Sequence, residues 1–239
     1  SMIKGVFRMN PYEARYRQLL ANGASAWAGD GFARAKIQQE KTFHWLDAHG
    51  YLPAPGAPVL ELGCGNGAMA AQYLAERGYA VSGVDVSETA IRWAEDRFQQ
   101  AGLDATFFVG NVCHLSQCED AQFALIIDGS CLHCLLEDER RRFFAEARRL
   151  LKPAGRLVIG SMCGLPRYAE DLATYDPVKH HLLKEGQPWR TLKPLPALLN
   201  EIQQAQFSVL TTNVKHNAWW DHATIVCSAN GPSADPEGA

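Results

Sequence analysis

The sequence predicts an α/β fold: a Rossmann-like, seven-stranded, mostly parallel sheet with helices on both faces. An antiparallel hairpin closes its C-terminal edge, and a helical and irregular cap covers it. Three observations carry this. Between residues 57 and 161, short apolar runs alternate with stretches of helical character, the rhythm of strand–helix–strand units. The runs are nearly continuously apolar, as strands buried on both faces are. Finally, 239 residues with 47% hydrophobic and 21% charged types suit one large domain with an embellishment.

The elements follow in order. Residues 11–50 read as two helices, Tyr12 to Leu20 and Phe32 to His49, around a small, polar loop that holds Trp27. Residues 1–50 are therefore expected to form a helical cap segment, and 51–228 the main domain. Strands are expected at 58–62, 80–85, 106–109, 124–128 and 155–161, with helices at 68–78, 88–100 and 137–151 between them. The rhythm breaks after 161. Residues 162–194 carry four prolines and no clean period, the mark of a lid or binding loop. A helix at 195–205 and a hairpin of Phe207–Val214 with Ala223–Cys227 complete the sheet. Residues 229–239 are small and polar, and are expected to be disordered.

Composition excludes some classes. A formal net charge of −3 lacks the summed positive field of a general nucleic-acid binder. No apolar run of about 18 residues is present, so no membrane span is expected. The amino terminus shows no charged-then-apolar leader. Seven cysteines, an odd number, argue for reduced thiols and a cytoplasmic location. Oligomeric state leaves no trace in the sequence.

The sharpest local signal is Val59-Leu60-Glu61-Leu62-Gly63-Cys64-Gly65-Asn66-Gly67: a strand, a glycine-rich turn and the start of a helix. Glycines let a backbone turn tightly and approach a ligand closely, although a tight turn alone explains them as well. Asp85 ends the next strand, where a carboxylate can accept hydrogen bonds from ribose hydroxyls or cap the helix that starts near Ser87. Dinucleotide folds favour G-x-G-x-x-G. Here the third glycine comes one position early, and Glu61 suits an ammonium group better than a pyrophosphate.

At these residues the sequence resembles the class I S-adenosylmethionine-dependent methyltransferases, in particular the small-molecule type. The resemblance rests on Glu61–Gly67, on Val81-Ser82-Gly83-Val84-Asp85-Val86-Ser87, and on Leu150-Leu151-Lys152-Pro153-Ala154-Gly155-Arg156-Leu157. It covers about residues 57–160 and implies S-adenosylmethionine as cofactor and a small-molecule methyl acceptor. Glu61, Gly63, Cys64, Gly65 and Gly67 would hold its methionine part, and Asp85 with Val86 its ribose side. Asn111 and Val112 stand where the family touches adenine, with Asn where Asp is usual. Asp128 would lie beside the sulfonium and the acceptor.

His133, just past the strand ending at Asp128, is the tentative general base, with His180 and His181 as weaker candidates. Its alternative is a histidine hydrogen-bonded to backbone. Trp27, Tyr168, Tyr175, Trp189, Trp219 and Trp220 are candidate acceptor-lining residues, or ordinary packing. Cys131-x-x-Cys134 is half of a zinc site without a second pair, so no metal is expected. Arg140-Arg141-Arg142 alternates with acids and reads as a solvated face. Three other functions stay open: a non-catalytic cofactor-binding protein on the same fold, an NAD-dependent oxidoreductase, and a methyltransferase of RNA or protein.

Overall fold

The computed structural model describes residues 10–231. Five strands, β1 (Pro58–Leu62), β2 (Ala80–Asp85), β3 (Thr106–Val109), β4 (Phe123–Asp128) and β5 (Leu151–Cys163), pair in parallel in the order β3-β2-β1-β4-β5. Two antiparallel strands extend the sheet beyond β5: β9 (Asp221–Ala229), then β8 (Phe207–His216). This is the predicted seven-stranded sheet with its closing hairpin. Strand order reverses between β1 and β4, and ligands in open α/β sheets bind at such a switch, beyond the carboxyl ends.

Alternation along the strands builds two cores. On one face Leu60, Leu62 and Ile126 pack with Phe143 and Phe144 of α5 (Asp138–Leu150) and Leu198 and Ile202 of α7 (Leu195–Gln204). On the other, Val59, Val81 and Leu125 pack with Tyr73 and Leu74 of α3 (Ala70–Glu76), Phe98 of α4 (Glu88–Ala101), and Phe43 and Leu46 of α2 (Phe32–Ala48). The last pair corrects the expectation that residues 1–50 form a cap: α2 belongs to the core. Its two large apolar side chains find a place on the sheet face that β1 and β2 leave open.

α1 (Pro11–Ala21) and the loop after it lie against the glycine loop, with Tyr16 beside Gly65 and the Asn66 side chain donating to the Ser25 carbonyl. Pro11 begins the helix, and Asn10 caps it by accepting from the Glu13 amide at 2.7 Å. Glu13 then fastens α1 to α4. Its buried carboxylate accepts from the Ser87 hydroxyl at 3.2 Å and the Thr89 amide at 3.0 Å, donors at the start of α4.

The segment 162–194 is more ordered than its sequence suggests. It holds α6 (Ala169–Thr174) and a second, two-stranded sheet of β6 (His181–Lys184) and β7 (Gln187–Thr191). Glu185 and Gly186, both at positive φ, make its two-residue turn. β5 also starts earlier than expected, at Leu151, and runs through the turn at Ala154 with a register shift. Of the tail expected to be disordered, Ala229 ends β9, and residues 232–239 lie outside the described residues.

Burial opposes ionisation of Glu13, but the hydrogen bonds from Thr89 and Ser87 and the charge of Arg17 outweigh it and hold its carboxyl below the usual 4.5. A depressed acid stabilises the fold above its unfolded pKa, and that contribution is lost as pH falls through the folded one. Glu13→Gln is expected to raise amide hydrogen exchange in α1 roughly tenfold at pH 7, the size of one charge-assisted bond of about 1.5 kcal/mol. Wild-type exchange should approach the variant's as pH falls below the ordinary carboxylate range.

Candidate active site

The glycine loop between β1 and α3 is held from beneath. The amides of Gly63 and Cys64 both donate to the Val84 carbonyl, at 2.8 and 2.9 Å. The amide of Gly65 donates to Asp85 Oδ2 at 3.0 Å. Gly63 and Gly65 sit at φ of +73° and +55°, and neither has room for a side chain. A Cβ on Gly63 would stand 2.3 Å from the Cys131 sulfur, and one on Gly65 would stand 2.6 Å from the Tyr16 hydroxyl.

Three carboxylates from three neighbouring strand ends gather around this loop: Glu61 of β1, Asp85 of β2 and Asp128 of β4, all buried. Glu61 Oε1 accepts from the Ala71 amide in the first turn of α3 at 3.0 Å. Asp85 spends one oxygen on Gly65 and the other on the Ser87 amide, also at 3.0 Å. Asp128 Oδ1 accepts from the Cys131 and Leu132 amides at 2.7 and 3.3 Å, through a tight loop in which Ser130 takes φ +66°. Asp128 Oδ2 is buried without a hydrogen-bond partner, and none of the three acids forms an ion pair among the described residues.

Burial without a cation disfavours ionisation. Burial, helped by the charges of Asp85 and Asp128, pushes the Glu61 carboxyl up to about 8 against its bond from Ala71. Asp128 is pushed to about 7, mainly by burial, against its amide donors and Arg140. Asp85 is raised for the same first reason. The thiols of Cys64 and Cys131 are pushed well up, again by burial, and are neutral at pH 7.

An aromatic cover lies over the cluster. Tyr16 of α1 is buried against Gly65. Trp27 packs on Tyr16 and on Tyr12, with ring centroids 5.1 and 5.8 Å away. Trp27 was anticipated from sequence, but Tyr12 and Tyr16 were missed. Their spacing of four residues on one helix was the available signal.

The remaining candidates separate. Val86 is exposed, with its carbonyl accepting from the Asn10 side chain at 3.4 Å, and Val112 is buried. Asn111 accepts from the Cys113 amide at 2.9 Å through its side-chain carbonyl, which keeps a second lone pair. His133 is placed near the cluster but not presented as a base. Its buried Nδ1 accepts from the Met162 amide at 3.3 Å, which leaves the ring proton on Nε2. Burial first, then His222 and the nearby arginines, lower its pKa to about 3.

His180 and His181 are not brought to the cluster. His181 is buried in β6, where its backbone pairs with Asp176, and His180 lies toward Lys193 and Glu201. Tyr175 donates its hydroxyl to the Leu192 carbonyl and forms the lid's own small core with Met162 and Leu182, against which Trp189 and Trp220 pack. Tyr168 and Trp219 are exposed. The arginine run divides: Arg141 and Arg142 pair with Asp138 at the surface, but Arg140 is buried and forks onto Glu201 of α7. Among the described residues, no three His, Cys, Asp or Glu side chains gather to hold a metal ion.

Comparison with known proteins bears on this geometry. Residues 59–155 match the family model described as a methyltransferase domain. About two fifths of the chain, from β1 to the turn inside β5, is thus similar to a methyltransferase domain. The chain is 31% identical over 120 residues to the 27-O-demethylrifamycin SV methyltransferase of Amycolatopsis mediterranei, covering 49% of this chain and 43% of that one. It is 31% identical over 109 residues to a methyltransferase of Streptomyces halstedii, covering 45% and 38%. The chain thus spans about two fifths of the length of these curated relatives. Its fold is similar to a methyltransferase of Methanosarcina mazei, with TM-score 0.66 and 23% identity over 77% of this chain and 96% of that one. It is also similar to the 1,6-didemethyltoxoflavin-N1-methyltransferase of Burkholderia thailandensis, with TM-score 0.66 and 22% identity over 92% and 89%.

The matched segment contains the glycine loop and all three acids. Tyr12, Tyr16, Trp27 and the lid lie outside it.

A raised acid makes the folded state hold more protons than the unfolded chain. The ligand-free domain should therefore be most stable below about pH 4.5, as far as Glu61 is concerned, and lose that contribution as pH rises through about 8. Glu61→Gln is expected to flatten this fall in Tm between pH 5 and 8.5. An unchanged pH profile in the variant would place the titration elsewhere.

Proposed function

We propose that this methyltransferase moves a methyl group from S-adenosylmethionine to a small-molecule acceptor by in-line displacement. The observation that carries this is the cluster of Glu61, Asp85 and Asp128, buried beside a glycine loop and without a paired cation. A ligand that brings positive charge fits it, and the unpartnered Asp128 Oδ2 is the atom such a ligand would meet. When bound, S-adenosylmethionine supplies an electrophilic methyl group on a positively charged sulfur and brings an ammonium group.

The chain's own residues do the rest. Glu61 and the Gly63–Gly67 loop would hold the methionine end. Asp85 keeps a second lone pair on each oxygen for ribose hydroxyls, and Val86 and Val112 would flank the base. Tyr16 and Trp27 shield the site from water, which strengthens every charge interaction inside it. Because the Tyr16 hydroxyl stands against Gly65, α1 must swing outward to admit the cofactor, releasing Glu13 from α4. Alignment of donor and acceptor can supply on the order of 7–11 kcal/mol of the barrier. An acceptor small enough to lie beneath α1 and the lid suits this cover. The names of the relatives support that size class: one acts on a rifamycin, and another is described with bound 1,6-didemethyltoxoflavin and S-adenosylhomocysteine.

No histidine near the cluster is poised to take a proton, so the acceptor is expected to be a group that loses its own proton readily. His133→Asn should leave kcat within about tenfold and the pH–rate profile without an inflection near 6.5, whereas a general base contributes about 10²–10⁴-fold. A hundredfold loss would return His133 to the base's role.

The direct test is thermal unfolding with S-adenosylmethionine, S-adenosylhomocysteine and NAD in parallel. Ligand at about 100 times its Kd adds roughly 2.7 kcal/mol, or about 5–11 °C in Tm for a domain of this size. The first two should shift Tm and NAD should not. Binding should also release protons at pH 7, as Glu61 and Asp128 ionise beside the incoming positive charge. A shift with NAD alone would overturn the proposal.

A further inference from the structure

One arginine of the charged helix α5 is turned inward. Arg140 stands in the first turn of that helix and is only 3% exposed. Nη1 donates to the Leu132 carbonyl at 2.7 Å, and Nε and Nη2 fork onto the Glu201 carboxylate at 2.9 and 2.6 Å. Lys193, at the base of the lid, shares that carboxylate at 2.9 Å. Taking two charges out of water costs most of what their attraction returns, so a buried fork of this kind contributes little net stability. What it does is fix geometry.

The geometry it fixes is that of the loop after β4, residues 129–137. Two of its residues are strained: Ser130 takes φ +66° and Glu137 φ +48°, where side chains are disfavoured. Such backbone persists only where surrounding contacts hold it. Inside the site, the Asp128 carboxylate accepts from the Cys131 and Leu132 amides. From the lid, the buried Thr191 donates its hydroxyl to the Leu135 carbonyl at 2.7 Å. From α5, Arg140 holds the Leu132 carbonyl. Leu132 is therefore gripped at both ends, its N–H by Asp128 and its carbonyl by Arg140.

The loop matters to the site in two ways. The Cys131 sulfur lies against Gly63, so the loop and the glycine turn share a packed boundary. The loop also sets which oxygen of Asp128 is engaged: Oδ1 takes the amides, and Oδ2 stays buried without a partner. Asp128 faces the acid Glu61 of β1, the neutral thiols of Cys131 and Cys134 on its own loop, and Arg140 of α5, the one cation in this set. The charge of Arg140 favours the ionised acid, against burial.

We propose that Arg140 is a positioning residue for methyl transfer: through Leu132 it holds the loop after β4, and with it the orientation of Asp128 that leaves Oδ2 free for the cofactor. Glu201 and Lys193 hold Arg140 in turn. Arg140 acts through Leu132 and Asp128, not on the reacting atoms. This rests on the methyltransferase reading above.

Binding of S-adenosylmethionine, followed by calorimetry from pH 5.5 to 8.5, tests it in the wild type, Arg140→Met, Arg140→Lys and Phe144→Leu. The last loosens the packing of α5 in the core and leaves the loop's hydrogen bonds in place. In the wild type, affinity should rise with pH as Asp128 ionises. Arg140→Met should bind about tenfold more weakly at pH 7, the size of one lost charge-assisted bond. Its rise should also lie at higher pH, because the cation that favours the ionised acid is gone. Arg140→Lys should return the rise to its wild-type position but recover only part of the affinity, since a point charge lacks the fork that reaches Leu132 and Glu201 together. Phe144→Leu should lose Tm while keeping Kd and the position of the rise, which a merely structural role for Arg140 would not distinguish. Arg140→Met binding as the wild type does, or Phe144→Leu reproducing its loss and shift, overturns the inference alone. Should Arg140→Met not unfold cooperatively, Arg140→Lys decides: wild-type affinity overturns the inference, and a clear loss with the rise in place bears it out. Failure of the wild type to bind S-adenosylmethionine overturns the cofactor reading and this inference with it.

Discussion

The structure is organised around an electrostatic imbalance at the centre of its sheet. β2 and β4 end on an acid and β1 carries one at its penultimate residue, where strand order reverses between β1 and β4. Main-chain amides satisfy most of the carboxylate oxygens. They supply partial positive charge and stop short of neutralising three buried acids. The fold tolerates this because the surrounding core is large and because burial lets the acids hold protons. The same imbalance makes the site selective. A pyrophosphate would worsen it, and a ligand bearing positive charge would relieve it.

The cover depends on comparatively few interactions. α1 is joined to the body by Glu13 and by the burial of Tyr16 and Leu19. A helix of eleven residues is marginal alone, so its order comes from docking. Motion of α1 and integrity of the core are therefore separable. The lid is anchored differently. Lys193 at its base shares Glu201 with Arg140, and Arg140 also donates to the Leu132 carbonyl beside His133. That network joins the lid, α5, α7 and the loop after β4, and the bond from Arg190 to the Tyr12 hydroxyl joins the lid to α1.

Legibility in the sequence followed the locality of the signal. The strand–helix rhythm gave the seven-stranded sheet and its hairpin, because buried strands write themselves as continuous apolar runs. The glycine loop and the acids at 61, 85 and 128 were legible for the same reason: each sits at the end of such a run. What failed was non-local. α2 was read as cap, since a helix that packs on a sheet face and one that covers a crevice have similar patterns. The hairpin at 181–191 was hidden by a Glu-Gly turn and by Pro188 inside a strand. His133 reads as a candidate base from its place after β4, and the bond from the Met162 amide to its Nδ1 is a tertiary contact that no local pattern marks.

The lid begins and ends at one point. Cys163 pairs with Lys193 across its base, and the Gly164 amide donates to the Lys193 carbonyl at 2.8 Å. The thirty residues between leave the sheet and return to it as a closed loop, with a small core of their own around Tyr175 and Leu182. Closing a longer or shorter loop at such a neck costs little, since the entropy grows only with the logarithm of length. The segment is in effect a replaceable cassette. Changes in its length or content can accumulate over evolution, or be grafted by design, without disturbing the strands beneath.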